Sequence, residues 1–148
     1  MQNAVFNIQN QSDFKTCALQ VFRHQFKNNA VYRSFCDLLY IHSSDVKEVE
    51  EIPFLPIQFF KSHAVLSSTQ AVQETFTSSG TTGSSVSKHM VTDLSWYKKS
   101  YTKGFEHFYG PIEDHTVLGL LPSYLERDGS SLIYICLLYT SPSPRDIG

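Results

Sequence analysis

Gln70-Ala71-Val72-Gln73-Glu74-Thr75-Phe76-Thr77 runs directly into Ser78-Ser79-Gly80-Thr81-Thr82-Gly83, and the chain leaves that turn through Ser84 to Ser87 into Lys88-His89-Met90-Val91. The first part is short and holds the β-formers Val72, Thr75 and Phe76, and Lys88 to Val91 reads as a return strand, so the glycine loop is expected to join two paired strands in a hairpin. Between Thr77 and Gly83, five hydroxyl side chains and two glycines fill seven positions. Glycine permits positive φ and lets backbone N–H groups approach an anion, while rotatable hydroxyls donate wherever an oxygen lies. That combination suits phosphate oxygens, and Lys88 supplies a compensating positive charge nearby. The loop is neither Gly-x-Gly-x-x-Gly nor a Walker A sequence, since no Gly-Lys-Ser/Thr follows the second glycine and a strand, not a helix, comes next. A plain Ser/Thr/Gly linker has a similar composition, but a linker is seldom embedded between two short strands.

Downstream, Thr92 or Asp93 can cap a helix whose residues Leu94, Tyr97, Tyr101, Phe105 and Phe108 fall at intervals of three and four. Gly110-Pro111 ends it, and Thr116 to Leu121 reads as a short apolar strand bounded by Pro122. Upstream, Phe14, Cys17, Ala18, Val21 and Phe22 place an apolar stripe on a helix capped by Ser12 or Asp13. A second helix is expected from Ala30 to Ile41, with Val31, Phe35, Leu38 and Leu39 inward, after an Asn28-Asn29 turn and cap. Pro53 and Pro56 forbid a continuous helix over Val49 to Phe60, while Ile52, Phe54, Leu55, Ile57, Phe59 and Phe60 ask for burial, which predicts a packed connector. His63 lies at a strand or loop end and reads as structural. Helices alternating with strands predict an α/β fold.

The hydrophobic fraction of 41% and the aromatic fraction of 14% argue against disorder. A formal charge of -2 gives no electrostatic reason for a nucleic-acid or anionic-membrane partner. The first basic residue is Lys15 and no long apolar run precedes Asp13, so no secretory signal is expected. Apolar stretches fall well short of the roughly 18 residues of a membrane span, and a cytoplasmic location is expected. Cys17, Cys36 and Cys136 are spaced for neither a disulfide framework nor a zinc site, so no metal-ligating set is expected, and Cys17 and Cys36 read as small buried hydrophobes. From about Cys136 the chain reads Cys-Leu-Leu-Tyr-Thr-Ser-Pro-Ser-Pro-Arg-Asp, which resembles the translation of a sequencing-library adapter. Residues 136–148 are therefore expected to be read-through and residues 1–135 an N-terminal fragment with an incomplete fold.

Thr77-Ser78-Ser79-Gly80-Thr81-Thr82-Gly83 with the later Lys88 resembles the phosphate-loop signature of the adenylate-forming superfamily, which includes acyl-CoA synthetases and luciferases. Val86-Ser87 stand where that signature usually carries a proline before its lysine. Two further segments, Ile52 to His63 and Leu121 to Leu132, are similar to segments of LuxE-like acyl-protein synthetases, and the resemblance covers nearly all of Val31 to Tyr134. It implies the N-terminal part of a large adenylate-forming domain and an acid–thiol ligase. A carboxylic, fatty acid would attack the α-phosphate of ATP to give acyl-AMP, and a thiol of a protein cysteine, carrier protein or CoA would then take the acyl group. ATP and, with it, Mg2+ are implied as cofactors, with residues Thr77 to Gly83 and Lys88 holding phosphate. Lys88, Glu126 and Arg127 are the candidate catalytic residues. Arg127 can meet phosphate or the substrate carboxylate, or form a salt bridge with Glu126 or Asp128. The family's adenine-binding, ribose-binding and mobile C-terminal elements would lie after residue 135, so the fragment is expected to be inactive alone. The alternative is a non-catalytic nucleotide- or partner-binding α/β module.

Overall fold

The computed structural model describes residues 4–78, 86–116 and 129–139. The chain divides between Ala71 and Val72 into two compact units. The first is helical and the second combines helices with a two-stranded antiparallel sheet.

In the first unit, helix α1 spans Gln11–Asn28 and α2 spans Ala30–Leu38. Two residues before the expected cap, Asn10 Oδ1 accepts the Asp13 N–H, a donor the helix itself leaves open, and the Asp13 carboxylate accepts the N–H of Gln9, just ahead of the cap. One residue joins the helices. Asn29 donates its N–H to the Gln25 carbonyl at the end of α1, and its side-chain Oδ1 accepts the Tyr32 N–H at the start of α2. Its amide also reaches Gln25 Oε1, and the whole residue is buried.

The α2 helix stops short of the expected Ile41. Tyr40 takes a left-handed backbone (φ 56), and the N–H groups of Tyr40 and Ile41 turn back to the Asp37 and Cys36 carbonyls, a Schellman closure normally built on glycine. The inward faces also differ from those the spacing suggested. Leu19, Phe22 and Phe26 of α1 meet Tyr32 and Cys36 of α2 and Val46 beyond it, with Phe35, Ile41, Ile52 and Leu55 packed around them. Phe14, Leu38 and Leu39 stay exposed. Apolar residues fill two adjacent lines on each helix, and only the partner element decides which is covered.

The connector is ordered, as expected, but burial alternates along it. Ile52 and Leu55 join the core, whereas Phe54 and Ile57 are 80% and 73% exposed. A 3-10 turn at Val49–Glu51 opens it with a capping box, and Lys15 Nζ on α1 lies 2.6 Å from both Glu48 carboxylate oxygens. The Tyr32 phenol donates to the Pro53 carbonyl at 2.6 Å. A single helical turn, α3 at Phe59–Ser62, was not signalled by the sequence. Phe59 sits edge-on to Phe35, and His63, closing α3, stacks on the Phe59 ring at 5.1 Å, a structural use of that histidine.

In the second unit, β1 (Glu74–Thr77) and β2 (Lys88–Val91) pair antiparallel with Glu74 opposite Val91 and Thr77 opposite Lys88, the expected hairpin. Helix α4, Leu94–Tyr109, follows from Asp93, whose Oδ1 accepts the Trp96 N–H, and Gln73 Oε1 accepts the Leu94 N–H. Gly110 (φ 86) closes α4, as the sequence indicated. Phe76 stacks on Tyr97 at 4.9 Å and meets Tyr134 of α5 (Ser131–Tyr139) at 5.3 Å, so β1, α4 and α5 share one aromatic cluster. Phe108, expected inward on α4, is exposed. The strand expected over Thr116 to Leu121 lies almost wholly outside the described residues, as does most of the adapter-like tail.

Candidate functional site

The mouth of the hairpin gathers the first and last described residues of the glycine loop. Ser78 and Ser87 face each other there. The Ser78 N–H donates to the Ser87 carbonyl at 3.0 Å, and the Ser87 N–H donates to Ser78 Oγ, also at 3.0 Å. One step down the ladder Thr77 stands opposite Lys88, and directly opposed residues of an antiparallel pair point to the same face. The Thr77 hydroxyl and the Lys88 ammonium therefore share a face, and Lys88 is exposed with no ion pair among the described residues.

The opposite face is committed to packing. Phe76 and Val91 are buried, and the Tyr97 ring covers Phe76. Fixing one face on α4 and α5 holds the other, with Thr77 and Lys88, in a defined orientation at the start of the loop. A second support comes from beyond β1, where the Thr77 N–H donates to the Gly129 carbonyl at 2.8 Å. Gly129 belongs to the Leu121 to Leu132 segment, so the structure joins two stretches that the sequence analysis singled out separately.

Of the candidate phosphate-binding residues, the structure brings together Thr77, Ser78 and Lys88. Ser79, Gly80, Thr81, Thr82 and Gly83 lie outside the described residues, and so do Glu126 and Arg127. Ser87 and Gly129 were missed by sequence reading, because both act through main-chain atoms. The Asp128-Gly129 dipeptide is a turn signal that pointed to Gly129.

The Thr77 hydroxyl and the exposed Lys88 ammonium on one face suit an anionic oxygen such as that of a phosphate. Among the described residues no group of three His, Cys, Asp or Glu side chains could hold a metal ion, so no Mg2+ ligand is assigned. Cys17 and Cys36 are buried, as their apolar neighbours indicated. Burial pushes the Cys36 thiol up, and the Tyr32 hydrogen bond only partly offsets it. An activated nucleophile needs the reverse, a lowered and accessible thiol. Among the described residues no helix is long and apolar enough to cross a membrane.

Residues 4–118 match the sequence profile of the family described as acyl-protein synthetase, LuxE. A long-chain-fatty-acid–luciferin-component ligase of Photorhabdus luminescens is 34% identical over 70 residues, which is 47% of this chain and 60% of that relative. The matched stretch thus spans less than two thirds of the relative's length. No solved structure matches the chain significantly.

Proposed function

Because the chain belongs to the LuxE acyl-protein synthetase family, we propose that it carries the nucleotide-gripping part of an ATP-dependent acid–thiol ligase acting on fatty acids. The observation that supports this best is the hairpin mouth, where Thr77, Ser78 and Lys88 stand together at the root of the glycine-rich loop. In this reading the loop holds the phosphates while the fatty carboxylate attacks the α-phosphate. Pyrophosphate leaves, and a thiol of a protein cysteine, carrier protein or CoA displaces AMP from the acyl group.

Each described residue has a specific part. The Thr77 and Ser78 hydroxyls donate to phosphate oxygens, and Lys88 offsets negative charge on the same face. The Ser78–Ser87 pair fixes the two ends from which the loop departs, so the Ser78 hydroxyl and the neighbouring Thr77 are held before the nucleotide arrives. Mg2+ accompanies ATP in this proposal and would share the phosphate charge. Glu126 and Arg127 remain the proposed companions from the second segment.

Fatty-acid-dependent exchange of labelled pyrophosphate into ATP tests the proposal, measured with this chain and with any longer product of the same gene. Exchange in either supports it, and no exchange in both with any fatty acid overturns it. Binding of ATP without exchange would favour a non-catalytic nucleotide-binding module. In a protein that exchanges, Lys88→Ala is expected to weaken ATP binding by about tenfold, the order of one lost charge-assisted contact. The melting temperature should hold, because the side chain is exposed.

A further inference from the structure

We propose that Gly129 is a positioning residue for the loop, holding the Thr77 peptide from the outer edge of the hairpin. The inference rests on the nucleotide-holding role of that loop given above. Along an antiparallel strand successive N–H groups point to opposite edges. The Ser78 N–H points to β2 and is taken by the Ser87 carbonyl. The Thr77 N–H therefore points away from β2, and the Gly129 carbonyl accepts it at 2.8 Å.

Only glycine meets the two demands of that position. Its backbone is left-handed (φ +79), and a Cβ built there would lie 3.1 Å from the Thr75 carbonyl oxygen and 3.3 Å from Thr77 Oγ1. The first neighbour is main chain and cannot rotate away. A side chain at 129 would have to push the segment off β1, lengthening the bond to Thr77.

The carbonyl is itself held from behind. Ser130 starts α5, its own carbonyl accepting the Tyr134 N–H and its hydroxyl the Ile133 N–H. Ile133 is buried, and the Tyr134 ring lies 5.3 Å from Phe76 and 6.2 Å from Tyr97. Gly129 is thus anchored through α5 to the aromatic cluster that supports β1. The Ser78 amide is fixed from one side and the Thr77 amide from the other, which sets the direction in which the loop leaves the strand and keeps Thr77 Oγ1 on the Lys88 face.

The test compares the wild-type chain with Gly129→Ala and Gly129→Asn by amide exchange at Thr77 and Ser78, by ATP equilibrium dialysis and by thermal melting. Asparagine tolerates positive φ, so Gly129→Asn isolates the Cβ contact at reduced folding cost. The expected result is exchange at Thr77 faster by about tenfold, Ser78 still protected, and ATP bound about tenfold more weakly, the scale of one net hydrogen bond. Released Thr77 with unchanged ATP affinity overturns the inference. Thr77 and Ser78 loosening together, with a lower melting temperature and unchanged affinity in the folded fraction, also overturns it, since that is a merely structural role. A measurement without variants guards against misfolding: coupling is reciprocal, so ATP must slow Thr77 exchange in the wild-type chain. An unchanged rate with ATP bound overturns the inference. Absence of any ATP binding by the wild type removes the loop's role itself, a different result from variants that bind ATP as well as the wild type does.

Discussion

Tyr32 shows what one residue does in the first unit. Its ring is buried against Phe22, and its hydroxyl donates to the Pro53 carbonyl, joining α2 to the connector. Burial, reinforced by the neighbouring Cys36, pushes the phenol well above the ordinary tyrosine range. A folded value above the unfolded one means this residue's contribution is complete below about pH 10 and is lost as pH rises through the alkaline range. Tyr32→Phe is expected to cost about 1 kcal/mol at pH 7, through the lost hydrogen bond, and to flatten the alkaline decline. Urea midpoints of both proteins from pH 7 to pH 11 check it, and equal alkaline slopes would count against the assignment. At this scale the sequence was legible in where side chains lie, while the phosphate-holding role of Thr77, Ser78 and Lys88 stays a proposal. Cys17 and Cys36 are buried, and Thr77, Ser78 and Lys88 meet at one mouth. Asp128-Gly129 signalled a turn, but the contacts of Ser87 and Gly129 were illegible because they are made by carbonyls and amides, which every sequence supplies and only the folded chain aims.

Elements are decided at their ends. Asn29 serves two helices at once, and as a buried residue it has no solvent to replace its bonds. Asn29→Ala should destabilise the first unit by about 1 kcal/mol, within the range of lost helix caps, and circular dichroism melts would register it as a lower midpoint. The cap of α4 adds a pH dependence. The Ser95 hydroxyl, then the Trp96 N–H, hold the Asp93 carboxyl below the ordinary aspartate range. A depressed folded value places this contribution above about pH 4 and removes it as pH falls through the folded value. Asp93→Asn keeps a capping oxygen without a titrating proton, so its melting temperature should fall less than that of the wild type between pH 5 and pH 3. Parallel curves would exclude the cap as the source. The start of α4 and the Asn28-Asn29 break were readable because capping residues are chemically distinctive. The end of α2 was not, because Tyr40 adopts a backbone usually left to glycine.

For the molecule, the hairpin was readable from two β-rich runs flanking a glycine loop, whereas the division between Ala71 and Val72 had no punctuation of its own. Phe54 and Ile57 were expected inside because apolar character states a preference, while coverage depends on a facing partner. In the first unit that partner set centres on Phe22, 2% exposed between α1 and α2. Phe22→Ala should cost about 3–5 kcal/mol, comparable with the whole stability of a small unit, so helical signal from Met1–Ala71 should be largely lost at 25 °C. Retention of that signal with an unchanged urea midpoint would show that the core lies elsewhere. The sole tryptophan of the chain, Trp96, lies in the first turn of α4, with its main-chain N–H donated to Asp93 and Lys99 poised over its ring. Its emission is therefore a native optical reporter of that one helix end, available for following unfolding or nucleotide addition without any attached dye.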